Sequence, residues 1–86
     1  MPRYYFDTYD GRFFATDDEG QELEGVSAAK AVAQTAVVEM AKDEIPDGDE
    51  RTFLISVRDQ VGREVLRIAL SLMVEALGDH PTTPFR

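Results

Sequence analysis

The chain has 86 residues, with 17 acidic against 9 basic side chains, a formal net charge of −8, one histidine and no cysteine. Without cysteine it can hold neither a disulfide scaffold nor a Cys/His zinc site, and a pI near 4.4 leaves no basic stripe for a general phosphate-backbone binder. Hydrophobic residues make up 43% and charged residues 30%, the composition of one small folded domain and not of a disordered acidic tail.

From the N-terminus, Arg3 to Tyr9 reads as a strand of aromatic and β-branched residues, with Tyr4, Phe6 and Thr8 on one face and Tyr5, Asp7 and Tyr9 on the other. Asp10-Gly11 between two aromatic runs signals a hairpin turn, because glycine takes positive φ freely. Arg12 to Thr16 is the returning strand, ended by Asp17-Asp18-Glu19-Gly20, with a short extension through Leu23. Ser27 is a candidate helix cap. Ala28 to Lys42 lacks Gly and Pro, and Ala29, Val32, Ala33, Ala36, Val37 and Met40 share a stripe at helical spacing. These small side chains predict a helix lying close on a sheet. Pro46-Asp47-Gly48 ends that region.

Thr52 to Arg58 alternates again, Phe53, Ile55 and Val57 against Leu54, Ser56 and Arg58. A turn at Asp59-Gln60-Val61-Gly62 leads into Glu64 to Glu75. There Leu66, Ile68, Leu70, Leu72 and Val74 take one face, and Val65, Arg67, Ala69, Ser71 and Met73 the other. This last strand exceeds its hairpin partner by five residues, an overhang that could pair with another chain. The order β-β-α-β-β predicts an α+β domain over residues 1–77, a mostly antiparallel four-stranded sheet with one helix on one face, followed by a flexible tail over 78–86. No apolar run approaches the ~20 residues of a membrane span, and the N-terminus has no signal-peptide core. A cytoplasmic location without membrane contact is the expectation.

Met1-Pro2-Arg3-Tyr4-Tyr5-Phe6-Asp7, Asp10-Gly11, Asp18-x-Gly20-x-Glu22-Leu23, Pro46-Asp47-Gly48, Val57-x-Asp59-x-x-Gly62 and Leu70-Ser71-Leu72, taken in order, resemble a family of short bacterial proteins catalogued as a domain of unknown function. The resemblance covers about residues 1 to 75, implies a fold and transfers no functional residue. In architecture alone, the Tyr-Tyr strand, acidic-Gly turn and Ala-rich helix also resemble HicB-type antitoxins, which dimerise and cover a toxin.

Candidate chemistry is sparse. Asp17, Asp18, Glu19, Glu22 and Glu24 crowd carboxylates before the helix, but their spacing does not match a calcium loop. Asp43, Glu44, Asp47, Asp49 and Glu50 follow the helix, where negative charge opposes its dipole. Both clusters read as solvated turns. His80 lacks a partner that would make it a general base, and Ser27, Ser56 and Ser71 lack a nucleophile elbow. The sequence therefore predicts no catalytic residue, no metal site and no cofactor. The sheet face away from the helix is the informative surface: Tyr5, Tyr9, Leu54, Arg58, Arg67 and Met73, with Val65, form a candidate partner surface. It suits a homodimer or an unidentified protein partner. An antitoxin-like role covering a basic toxin or enzyme is the alternative. Single-stranded RNA is the outsider, opposed by the long-range repulsion of a chain charged −8 from nucleic acid.

Overall fold

The structure is a computed structural model that describes residues 1–44 and 49–78. The Pro46-Asp47-Gly48 turn, His80 and the tail beyond Gly78 lie outside the described residues. Strand β1 (Arg3–Tyr9) runs as the aromatic alternation predicts and leads into the Asp10-Gly11 turn. There the Asp10 carboxylate accepts the N–H groups of Arg12 (2.9 Å) and Phe13 (2.8 Å), while Gly11 takes φ +96°. The returning segment is not one strand but two short ones. Strand β2 (Phe14–Ala15) pairs with the C-terminal end of β1, and β3 (Gln21–Glu22) pairs with its N-terminal end. Among the described residues the four strands expected thus become five.

Helix α1 (Val26–Glu44) starts earlier than Ser27. The Gly25 carbonyl accepts the first helical N–H, from Ala29 at 3.1 Å, so Gly25 holds the cap position and Ser27 lies within the first turn. Strand β4 (Glu50–Arg58) also starts earlier than the alternation suggested, and β5 (Glu64–Met73) ends earlier. With nine residues facing ten, the expected overhang of five disappears. The Asp59 carboxylate closes the hairpin between them by accepting the N–H groups of Val61 (3.0 Å) and Arg63 (2.9 Å).

The sheet runs β2-β1-β4-β5, antiparallel throughout, with β3 beside β2 on the outer edge of β1. Helix α1 lies over β4 and β5. Its buried seam is Ala29, Ala33, Val37 and Ala41, spaced four apart, and it meets Phe53, Ile55 and Val57, which are fully buried. Tyr4 completes this core, with Phe6, Leu23, Leu66 and Ile68 packed around it. The leucine row of β5 is not wholly core: Leu70 and Val74 are exposed, because β5 is the sheet's last strand and nothing described flanks it. Val65, expected to face outward, packs against the core, since a register shift opposite Val57 and Arg58 turns the strand there.

The alanine seam leaves no room for larger side chains. Ala33→Leu is expected to destabilise the fold by about 1–3 kcal/mol in urea unfolding, whereas Gln34→Leu, on the exposed side of the same turn, should stay within about 0.5 kcal/mol.

Candidate interaction surface

Cross-strand partners share a face, so the register assigns the side of the sheet away from α1 row by row. Tyr5 stands beside Arg58, and Asp7 beside Ser56 and Arg67. The next row is Phe14, Tyr9, Leu54 and Ala69, one residue from each of the four strands. Thr52 with Ser71, then Glu50 with Met73, complete the face. Five of the six candidate residues named from sequence lie in the first three of these rows, and Met73 lies at the far end.

The third row is apolar across the full width of the sheet. Tyr9 and Phe14 stack at 4.6 Å between ring centroids, and Phe14 remains 76% exposed. Phe13, at the hairpin tip, is 73% exposed. On one side of this row lies a polar belt. Arg58 donates from Nε to Asp7 Oδ2 at 2.6 Å and from Nη2 to Asp7 Oδ1 at 3.0 Å, a bidentate pair, and its guanidinium sits 5.0 Å from the Tyr5 ring centre. Glu64 accepts from Arg67 at 2.8 and 3.0 Å and from the Ser56 hydroxyl at 2.5 Å. On the other side, the Thr52 and Ser71 hydroxyls lie 3.1 Å apart. Both arginines of the face are thus matched by carboxylates.

Asp17 explains why the returning strand breaks. Its Oδ2 accepts the Phe6 N–H at 3.0 Å, replacing the carbonyl a neighbouring strand would offer, and its Oδ1 accepts the N–H groups of Glu19 (3.0 Å) and Gly20 (3.1 Å). Its own N–H donates to Asp7 Oδ1 at 2.9 Å, and its carbonyl accepts from Arg58 at 2.9 Å. One member of the first acidic cluster is therefore a built part of the sheet edge rather than a solvated charge. The Arg58 hydrogen bonds hold the Asp7 carboxyl below its ordinary value. Burial pushes Asp17 upward, but the Phe6, Glu19 and Gly20 N–H groups outweigh it, and its value is also lowered.

Arg51 gives no motif signal, yet its parity places it on the core face with Phe53, Ile55 and Val57, and it is 7% exposed. Its guanidinium donates to the Asp10 carbonyl and to Glu44 Oε1 (3.1 Å) and lies 5.1 Å from the Phe53 ring centre. It ties the first turn, the end of α1 and β4 together, and with Lys42 of the last helical turn it offsets the acidic helix C-terminus. A hollow of about 250 Å³ beside it is lined by Tyr9, Gly11, Glu50, Arg51 and Thr52. Among the described residues, no three His, Cys, Asp or Glu gather as metal ligands, and no helix is long and apolar enough to cross a membrane.

The model of one protein family, described as a domain of unknown function (DUF6894), matches residues 3–71. The chain belongs to that family. The match runs from the first residue of β1 into β5 and so includes the helix, the polar belt and the apolar row. No curated protein and no solved structure matches the chain.

The lowered carboxylates fix a pH dependence. A carboxyl whose folded value is depressed adds stability that is complete above its ordinary value, near 3.8 for aspartate, and is lost as pH falls through the depressed folded value. Asp7→Asn and Asp17→Asn should therefore lower stability at neutral pH and flatten its acid-side loss below about pH 4, as read by urea unfolding at a series of pH values.

Proposed function

We propose that this domain works by binding protein through its uncovered sheet, face and open edge together, first of all a second copy of itself, and without catalysis. The observation that carries this reading is the apolar row Phe14, Tyr9, Leu54 and Ala69, which crosses the sheet with no described element over it and has hydrogen-bonded polar side chains on both flanks. An apolar centre with a polar rim is the anatomy of protein interfaces. Charge supports the same reading. The chain carries −8, but Arg58 and Arg67 are paired with Asp7 and Glu64, so this face adds little to the repulsion between copies.

The face suits protein better than nucleic acid. The Tyr5 ring is already engaged by Arg58 and the Tyr9 ring by Phe14, which takes up aromatic surface that single-stranded bases would need for stacking. A partner protein of another kind would meet the same rows. A cytoplasmic setting, with no membrane contact, fits this reading.

Sedimentation equilibrium from low to high micromolar concentration tests it. The expected result is a monomer–dimer equilibrium that tightens as salt is added, because salt screens the repulsion between two acidic chains. A monomer mass at high micromolar concentration, with or without salt, overturns it.

A further inference from the structure

Resting on the self-association proposed above, we infer which part of the uncovered sheet joins the two copies: the open edges of their β5 strands pair antiparallel, with Ser71 on the two-fold axis, so that the apolar rows of both copies lie on one face of the joined sheet and stay open there. β5 is the last strand of the sheet. It spans ten residues without a proline, and its free edge has no covering strand among the described residues. Such an edge is a ready template for another strand.

The direction of its free backbone groups follows from one hydrogen bond. The Val74 N–H donates to the Asp49 carbonyl at 2.7 Å, toward β4. Along a strand the backbone groups of successive residues point to opposite sides. Ile68, Leu70, Leu72 and Val74 therefore turn theirs toward β4, and Arg67, Ala69, Ser71 and Met73 turn theirs to the open edge. Exposed apolar side chains collect along the same stretch: Leu70 (39%), Met73 (56%), Val74 (50%) and Leu77 (49%).

The sequence of the edge is complementary to itself about Ser71. Centred there, the pairing sets Arg67 against the partner's Glu75, Ala69 against the partner's Met73, and Ser71 against its own copy. On the helix side it sets Leu70 against the partner's Leu72 and Ile68 against the partner's Val74. Every pair on the helix side is apolar, and the charged pair is of opposite sign, which favours a second copy of this chain as the occupant. Moving the axis to Arg67 would set two arginines against each other, moving it to Ala69 would set Arg67 against the partner's Ser71, and moving it to Met73 would set Glu75 against the partner's Ser71.

The chain has no cysteine, so single cysteines report the geometry cleanly. Hydrogen-bonded partners in an antiparallel pair lie about 5.5 Å apart between Cα atoms, within disulfide reach. Ser71→Cys should link into a covalent dimer under mild oxidation. Thr52→Cys lies one strand further in on the same face, about 14 Å from its counterpart by three strand spacings, and should link at least tenfold more slowly. Ala69→Pro removes an edge N–H but no β4–β5 hydrogen bond; it should keep the circular dichroism spectrum and weaken the dimer at least tenfold. If the unmodified chain dimerises while Thr52→Cys links as fast as Ser71→Cys, or while folded Ala69→Pro dimerises undiminished, edge pairing is wrong and self-association stands. A chain that stays monomeric overturns both.

Discussion

Ala29, Ala33, Val37 and Ala41 hold α1 close against Phe53, Ile55 and Val57, and this narrow contact sets how much of the sheet one helix can cover. Short side chains bring the helix down onto β4 and β5 and give it no reach beyond them. The helix side of β1 must then be closed by Tyr4, Phe6 and Leu23, and among the described residues nothing flanks the outer edge of β5 or covers the opposite face. Uncovered sheet is thus a consequence of the packing, and the surface chemistry follows from it.

Carboxylates do much of the work that a larger protein gives to regular structure. Asp10, Asp17 and Asp59 each accept two or more backbone N–H groups at a turn or a strand break. Asp7 and Glu64 hold the two arginines of the outer face in place. Several acids that make the chain so negative are therefore fixed parts of its loops, and the strands between them keep an apolar row intact. Glu44 is similar: its partner Arg51 is the buried cation that joins helix end, turn and strand.

Much of the fold was legible because periodicity states it directly. The alternation in Arg3–Tyr9 and in the last hairpin, the alanine stripe and the Asp10-Gly11 and Asp59-x-x-Gly62 turns correspond to observed elements. The outward placement of Tyr5, Tyr9, Leu54, Arg58, Arg67 and Met73 followed from parity alone. What failed to show was long-range. The split of the returning strand depends on Asp17 reaching Phe6 across eleven residues, and the burial of Arg51 on the core face depends on its reaching Asp10 and Glu44. Side-chain to backbone bonds of that kind leave no local period to read. The inward turn of Val65 comes from a register shift that only the paired strands reveal.

In the dimer proposed above, a second copy joins at the open edge of β5. Amide hydrogen exchange followed residue by residue by NMR tests that directly. At low concentration the amides of Leu70 and Leu72, bonded to β4, should be protected and those of Ala69 and Ser71 should exchange quickly. As concentration rises, Ala69 and Ser71 should slow until the alternation disappears. An alternation that persists unchanged at high micromolar concentration would contradict the account.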